Sequence, residues 1–439
     1  MHLLEGAGRR VLLDCGLYRG RRDDKHPRDN GFPFDPASLD AVILSHAHID
    51  HCGNLPNLVR QGYGGPIYCT PATRDLVGIM LDDSARIHEE DAVVAGIVGS
   101  PRGPGRVPQY SHADVGNAVR QCVAVDYDVE TEVTPGIRFR FSDAGHILGS
   151  AIVSLTLDQG GRRFRVTFTG DLGRRGLPFL SEPSPVPAAD LVICESTYGG
   201  RLHDPLGDTA AKLAVVMRET IERGGKVLIP AFSLGRTQLV VHFIQRWMHE
   251  GLLPVMPLYV DSPLGARIAE VYGRHSASLR EVNGPEVPPA RYLLDRDEAQ
   301  ALSMAREPCA IVASGGMCEG GRIIQHLKHH IDDPRCTIVL VSYQAPHSLG
   351  HQLLEKRPTV RFHGRTWNKW AAVVELSGFS GHADRNDFVA LLGNAAGATG
   401  RVRLVHGEPA QSAALAVTLR ERGFREVAPA LPAECVSVA

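Results

Sequence analysis

Ala41-Val42-Ile43-Leu44-Ser45-His46-Ala47-His48-Ile49-Asp50-His51 is the stretch whose reading decides the fold. Four apolar residues make a short buried strand, and Ser45 leads out of it toward a predicted helix from about Asp50 through Leu58. In the extended H-x-H segment His46 and His48 fall on one side, and Asp50-His51 can turn toward the same point as the helix begins. Neutral imidazole and carboxylate are what zinc, an ion of borderline softness, accepts. Histidine fills 20 of 439 positions. Three His and one Asp in this pattern should therefore arise by chance in well under about 1% of chains this size, so the run reads as a metal site.

One short run cannot close two metal sites, so further ligands must come from other strand ends. Three candidates follow apolar strands: His146 in Asp143-Ala144-Gly145-His146, Asp171 in Phe168-Thr169-Gly170-Asp171, and His406 in Leu404-Val405-His406-Gly407. Asp14, in Val11-Leu12-Leu13-Asp14-Cys15-Gly16, is better placed to fix a ligand than to be one.

Composition narrows the class. The chain is 43% apolar and 22% charged, as soluble globular proteins are, and has no apolar run near the roughly 20 residues of a membrane span. Its first residues lack the pattern of a secretory signal, so a cytoplasmic location is expected. Nine scattered cysteines, never spaced C-x-x-C, read as reduced thiols. A net charge of −2 argues against general coating of nucleic acid and leaves room for a local basic groove.

Texture divides the chain. Up to residue 199, short strands alternate with turns: Val11–Leu13, Ala41–Leu44, Pro66–Cys69, Ile137–Phe141, Ala151–Leu157, Phe164–Thr169 and Leu191–Cys194. A second helix is expected around Thr73 to Val94, and Pro101–Gly105 reads as a surface loop. Over 200–370, helical patterns alternate with buried strands, the mark of a doubly wound parallel α/β sheet. After each of its strands come small or polar residues, at Phe232-Ser233, Asp261-Ser262, Ser314-Gly315-Gly316 and Ser342-Tyr343-Gln344. Such sheets bind ligands at these ends, so the turns form a candidate phosphate-facing wall. Over 371–439 the β-rich texture returns with Ala371–Leu376 and Arg403–Val405, then a closing helix around Gln411–Arg420. The order suggests a middle domain of 200–370 inserted into the first.

His46-x-His48-x-Asp50-His51, His146, Asp171 and the early Val11-Leu12-Leu13-Asp14-Cys15-Gly16 resemble the ordered motifs of the metallo-β-lactamase superfamily. Glu195-Ser196-Thr197-Tyr198-Gly199, Ser380-Gly381-His382-Ala383-Asp384 and Val405-His406-Gly407-Glu408 resemble motifs A, B and C of its β-CASP branch, which processes nucleic acids. Phe232-Ser233-Leu234-Gly235-Arg236-Thr237-Gln238 and Ser314-Gly315-Gly316-Met317 are similar to that branch as well. The resemblance implies a four-layer αβ/βα metallo-β-lactamase fold with an inserted doubly wound β-CASP domain. Relatives begin with a further strand ahead of the segment matching His2-Leu3-Leu4, so this start reads as one strand short.

By the same resemblance, one Zn2+ is expected on His46, His48 and His146, a second on Asp50, His51 and His406, with Asp171 bridging and a metal-bound hydroxide as nucleophile. His382 is expected as general acid, with Glu195 holding the ring and keeping it protonated. In this branch histidine at motif C accompanies RNA-processing members, so His406 points to RNA and to a ribonuclease. Endonucleolytic cleavage is the preferred mode, beside 5′-to-3′ exonucleolytic action. RNA contacts are expected in an interdomain groove from Ser233, Arg236, Ser262, Ser314, Gly315, Gly316 and Arg322, together with Lys328. No appended RNA-binding module is read in these residues, so targeting is expected from the two domains themselves or from a homo-oligomer. Two rival readings share the zinc ligands or the fold. A hydrolase of a small ester, thioester or lactam needs neither the insertion nor Glu195 and His382. A catalytically silent RNA-binding scaffold would lack ligands, and none is missing.

Overall fold

The computed structural model of the chain describes residues 1–17, 31–98, 109–177, 180–280 and 289–437. Two units emerge: residues 1–177, 181–201 and 382–439 make the first, and 178–180 with 202–381 the second.

The first unit starts with a five-stranded sheet in the order β1 (His2–Gly6), β2 (Arg9–Leu13), β3 (Ala41–Ile43), β4 (Ile67–Cys69) and β5 (Cys122–Ala124). β1 and β2 are an antiparallel hairpin, and β2 through β5 run parallel. The parallel crossovers carry helices α1 (Ile49–Cys52), α2 (Leu55–Arg60), α3 (Pro71–Val98) and α4 (His112–Arg120). α3 and α4 pack on each other, and α3 packs on β5. A second sheet opens with the antiparallel meander β6 (Thr131–Thr134), β7 (Ile137–Asp143), β8 (Ala151–Gln159) and β9 (Arg162–Phe168), extended by β10 (Leu191–Glu195), parallel to β9.

Strand periodicity explains how these sheets meet. Val11, Leu13 and Ile43 from the first sheet share one core with Phe139, Phe141, Val153, Leu155, Val166 and Phe168 from the second. The sheets therefore stack face to face. On the outer face of the second sheet, Ile152, Val192 and Cys194 join a separate helical core.

The second unit is a parallel α/β sheet. Its chain runs α5 (Leu206–Glu222), β11 (Val227–Ala231), α6 (Arg236–His249), β12 (Leu258–Asp261), α7 (Pro263–Arg274), β13 (Arg291–Tyr292), α8 (Arg296–Met304), β14 (Ala310–Ser314), α9 (Ile323–His330), β15 (Thr337–Leu340) and α10 (Leu349–Leu354). A two-stranded hairpin, β16 (Thr359–Phe362) and β17 (Arg365–Asn368), precedes β18 (Ala372–Glu375). The six-stranded order is β13-β12-β14-β11-β15-β18.

The chain then re-enters the first unit with α11 (Arg385–Leu392), β19 (Arg401–Val405), α12 (Pro409–Glu421) and β20 (Glu426–Pro429). β19 pairs in parallel with β10 and sets Glu195 beside Val405. Strands separated by the whole insertion are thus neighbours. Phe388 and Leu391 of α11, with Leu415 and Leu419 of α12, cover the outer face of the second sheet. Helices flank both sheets, in the αβ/βα layering the resemblance implies.

Some elements differ from expectation. The helix predicted over Asp50–Leu58 is two, because the Asn54 N–H bonds back to the Cys15 carbonyl and Pro56 has no N–H to continue the first. Ala372–Glu375, expected to open the closing segment, pairs with β15 in the inserted sheet, and the re-entry comes at His382. β1, β5 and β6 were not foreseen; β1 and β6 mix polar and apolar residues, and β5 is apolar but only three residues long. The loop expected at Pro101–Gly105 lies outside the described residues.

Candidate metal centre

Every residue of the cluster belongs to the first unit, and all but His382 lie at or just beyond the carboxyl end of a strand. Ser45, His46 and His48 follow β3, with His48 at the N-cap of α1, and Asp50 and His51 lie within that helix. His146 follows β7, Asp171 follows β9, Glu195 ends β10, and His406 follows β19. His382 stands at the re-entry, tied by a bridge to Gly173, while Asp384 bridges to Tyr198.

Nε2 of His46 lies 3.0 Å from Nδ1 of His48, and Nε2 of His146 lies 3.3 Å from the same nitrogen. Asp171 Oδ2 is 3.6 Å from His46 Nε2 and 3.7 Å from His146 Nε2. Four atoms bonded at about 2.0–2.1 Å to one tetrahedral zinc would be about 3.3–3.4 Å apart. The observed spacings are the edges of that tetrahedron within a few tenths of an ångström. A second group converges beside it. His51 Nε2 and His406 Nδ1 lie 3.4 and 3.2 Å from Asp171 Oδ1, and His406 Nε2 lies 3.2 Å from Asp50 Oδ2. Both His51 Nε2 and Asp171 Oδ1 are buried without a hydrogen-bond partner. Buried polar atoms aimed at each other with no donor between them fit a cation. The donors could hold one metal on His46, His48, His146 and Asp171 and another on Asp50, His51 and His406.

Asp14 lies behind the cluster. Its Oδ1 accepts the Ser45 N–H at 2.7 Å, and its Oδ2 accepts the Ser45 hydroxyl at 2.7 Å and the His51 Nδ1–H at 2.6 Å. With the Ser45 proton committed to Asp14, His46 Nδ1 donates to Ser45 Oγ at 3.0 Å. One carboxylate thereby leaves the Nε2 lone pairs of both His46 and His51 facing the cluster. Asp14 does this from a left-handed backbone, at φ 56°.

Two glycines, which the sequence reading did not single out, let the loops close. A Cβ on Gly16 would lie 1.6 Å from the Asp50 carbonyl oxygen, and one on Gly173 would lie 1.9 Å from that of Gly145. Each sits two residues beyond a buried aspartate, Asp14 or Asp171, and against the peptide that leads into His51 or His146. Only the absence of a side chain permits either approach.

Glu195 is fully buried. Its Oε1 accepts the Leu172 N–H at 2.8 Å and its Oε2 the Thr197 N–H at 3.0 Å, so the carboxylate is immobilised from both sides. His382 Nδ1 lies 3.3 Å from Glu195 Oε1 and 4.0 Å from Asp171 Oδ2, and its side chain keeps 18% of its surface in solvent.

Charge follows this geometry. Burial drives His46 well below the usual imidazole value and His48 down to about 4, so both are neutral near pH 7, as metal ligands must be. Asp171 is held well below the carboxylate range although burial opposes its ionisation, because His406 and His51 stand beside it. Conversely His51 is raised, and His406 rises to about 9, against burial and through Asp171. The carboxylates of this pocket attract positive charge.

In the second unit, β12, β14 and β11 are adjacent, and their carboxyl ends bring several expected RNA contacts together. The Ser233 and Ser262 hydroxyls are 3.0 Å apart. Ser262 also caps α7 by accepting the Gly265 N–H, and Ser314 Oγ accepts the Arg322 N–H. Gly315 has φ +111°, and Gly316 gives room to the Phe232 ring. Arg236 opens α6. The Arg322 guanidinium donates to the Leu294 carbonyl at 3.3 Å and lies 3.7 Å from the buried Asp261, so it is largely committed within the fold. Asp261 in turn accepts from His326 at 2.9 Å. Lys328 sits in the last turn of α9.

Three family models match the chain in order: a beta-lactamase superfamily domain over 9–199, a Beta-Casp domain over 237–353, and a Zn-dependent metallo-hydrolase RNA specificity domain over 370–429. The chain is 37% identical over 431 residues to Ribonuclease TTHA0252 of Thermus thermophilus, covering 96% of this chain and 93% of that protein. It is 32% identical over 430 residues to Transcription termination factor FttA of Methanocaldococcus jannaschii, and 34% identical over 449 residues to FttA of Pyrococcus horikoshii. Each of these alignments covers 94% of this chain and 65% of the termination factor, so the chain spans just under two thirds of those relatives.

Proposed function

The chain belongs to the metallo-β-lactamase superfamily and, within it, to the β-CASP branch, and on that premise we propose that it is a two-zinc ribonuclease that cuts RNA internally. The observation that carries this reading is the tetrahedral spacing of His46, His48, His146 and Asp171 next to a His382–Glu195 pair that no metal-binding role requires. The ribonuclease relative aligned over nearly the whole chain supports the choice of RNA.

His46, His48 and His146 would hold one zinc and Asp50, His51 and His406 the other, with Asp171 shared. Bound there, two zinc ions supply a water nucleophile at neutral pH and neutralise the charge that builds on the phosphodiester. The rest is the work of the chain. Asp14 and Ser45 fix the orientation of His51 and His46. Glu195, itself held by two backbone N–H groups, orients His382 through Nδ1 and leaves Nε2 to deliver a proton. The P–O3′ bond breaks, that proton goes to the departing 3′ oxygen, and the products carry a 5′-phosphate and a 3′-hydroxyl. Ser233, Ser262 and the Ser314-Gly315-Gly316 turn would offer hydroxyl and backbone donors to phosphates, with Arg236 as a positive charge beside them.

The test sets zinc content beside cleavage of an unstructured RNA, a chromogenic lactam and a thioester. RNA cleavage that leaves 5′-phosphate ends, and that His382→Ala abolishes while zinc is retained, is the expected result. Turnover of the lactam or thioester with the RNA intact would overturn it.

A further inference from the structure

We propose that the β16–β17 hairpin, with Trp370 beyond it, is a second RNA-binding surface that grips the phosphate backbone through Lys356, Arg361 and Arg365. The proposal rests on RNA being the substrate, and none of its residues belongs to the metal centre.

The chain as a whole has 47 Lys and Arg against 49 Asp and Glu, yet residues 356–369 hold Lys356, Arg357, Arg361, Arg365 and Lys369 and no acid. Two of these cations serve the fold. Lys369 donates to the Leu353 and Glu355 carbonyls at the end of α10, and Arg357 pairs with Glu355 at 2.7 Å. Among the described residues no carboxylate pairs with Lys356, Arg361 or Arg365. All three are exposed.

The hairpin displays these charges on a rigid base. Val360 and Phe362 are buried in the second unit's core, with Trp367 packed against it. The ring of Trp367 stacks on Phe362 at 5.3 Å, and the Arg365 guanidinium lies over Trp367 at 4.4 Å. The turn is His363-Gly364, both at positive φ, which suits a two-residue hairpin. The register sets Arg361 opposite Thr366 and Thr359 opposite Asn368. Strand alternation therefore turns Thr359, Arg361, Thr366 and Asn368 away from the core as one polar face, and all four are exposed.

Two of the chain's three tryptophans lie here. Trp370 is anchored by its backbone N–H to the Ile331 carbonyl while the residue stays 60% exposed. Cations that track a backbone and an exposed aromatic that can stack on a base are the combination used for single-stranded nucleic acid. Around Arg361 the exposed face carries Thr359, Thr366 and Asn368, hydrogen-bonding groups that suit phosphate and sugar oxygens and give a bilayer no apolar surface to take up.

The experiment measures binding in a His382→Ala background, which keeps the RNA intact, with single-stranded RNAs of about 20 and about 5 nucleotides. Combining Lys356→Gln, Arg361→Gln and Arg365→Gln should weaken the longer RNA about tenfold or more and make the slope of log affinity against log salt shallower by about 2. The pair Lys356→Gln and Arg361→Gln removes no packing and should shift the slope by about 1.4, which guards against misfolding. Trp370→Ala should weaken binding about fivefold or more with the slope unchanged. With His382 restored, kcat on the short RNA should stay as it is. Unchanged affinity and slope for the longer RNA would overturn the proposal even if the enzyme cleaves RNA. Loss of binding to anionic phosphatidylglycerol vesicles alone would assign the hairpin to a membrane and overturn it too. Hairpin-dependent RNA binding by a protein that cleaves no RNA would leave this surface standing and refute the ribonuclease reading.

Discussion

In the proposed two-zinc centre, replacing Gly16 by Ala should empty one metal position and spare the other. A Cβ at residue 16 would sit 1.6 Å from the Asp50 carbonyl oxygen and 2.7 Å from the His51 nitrogen. Comfortable contact needs about 3.5 Å, so the two segments must part by nearly 2 Å. Metal coordination tolerates errors of about 0.2 Å, a tenth of that displacement. The segments are pinned together by Cys15 N–H to the His51 carbonyl (2.7 Å), Leu17 N–H to Ile49 (3.0 Å) and Asn54 N–H to Cys15 (2.8 Å). Separation loses these bonds at about 1 kcal/mol each, and the overpacking adds about 1–3 kcal/mol. A loss of about 4–6 kcal/mol lies within the stability of a domain of this size, which stays folded but unable to present His51 and Asp50. Zinc per chain after dialysis against metal-free buffer, read beside a circular-dichroism melt, should fall from two to one. Gly173→Ala is the mirror case, since its Cβ would meet Gly145 and His146 and so disturb the other position. Two zincs per chain and unaltered RNA turnover in Gly16→Ala would refute the reasoning.

Glu195→Gln keeps the volume and one oxygen but not the charge facing His382, so single-turnover cleavage should slow about 100-fold or more with zinc content unchanged; a rate within twofold of the parent would remove Glu195 from the proton-transfer step. Asp14→Ala leaves the His51 Nδ1–H and the Ser45 hydroxyl without their acceptor, and competition with a chromogenic chelator should show zinc affinity down about 10–100-fold. Burial raises the Asp143 carboxyl to about 6 from its ordinary 3.8. The folded state therefore holds this proton at a pH where the unfolded chain has released it, and stability falls as pH rises from about 4 to 6. Asp143→Asn should raise Tm at pH 7 and leave it unchanged near pH 3.5; equal Tm values at both would contradict that assignment. Removing metal with a chelator should lower Tm, by about 2.7 kcal/mol of lost stability if zinc had stood at 100 times its Kd, and added zinc should restore it.

The candidate ligands were legible because each lies in a short run after an apolar strand, where chemistry and local structure share one signal. The His46 to His51 run needed no comparison to be read as a metal site. Glu195 and His382 were different. They are 187 residues apart, and only the resemblance joined them; β10 beside β19 and the re-entry at His382 supply the physical reason. Gly16 and Gly173 were beyond reach, since a glycine says that something comes close and never what. β18 was misassigned because Ala372–Glu375 carries a strand pattern that either neighbouring sheet could accept, and pairing partners are a tertiary property. The basic hairpin was hidden by averaging. A net charge of −2 counted against a polyanion partner, while the charges that bear on the question lie in fourteen consecutive residues without an acid. Charge acts over a Debye length of about 8–10 Å, so the sum over a chain of this size says little about what one face can bind. The pairing of each cation says more. Arg322, chosen from the sequence as an RNA contact, donates to Leu294 and faces Asp261, whereas Arg361, which was not chosen, is exposed and has no ion-pair partner among the described residues.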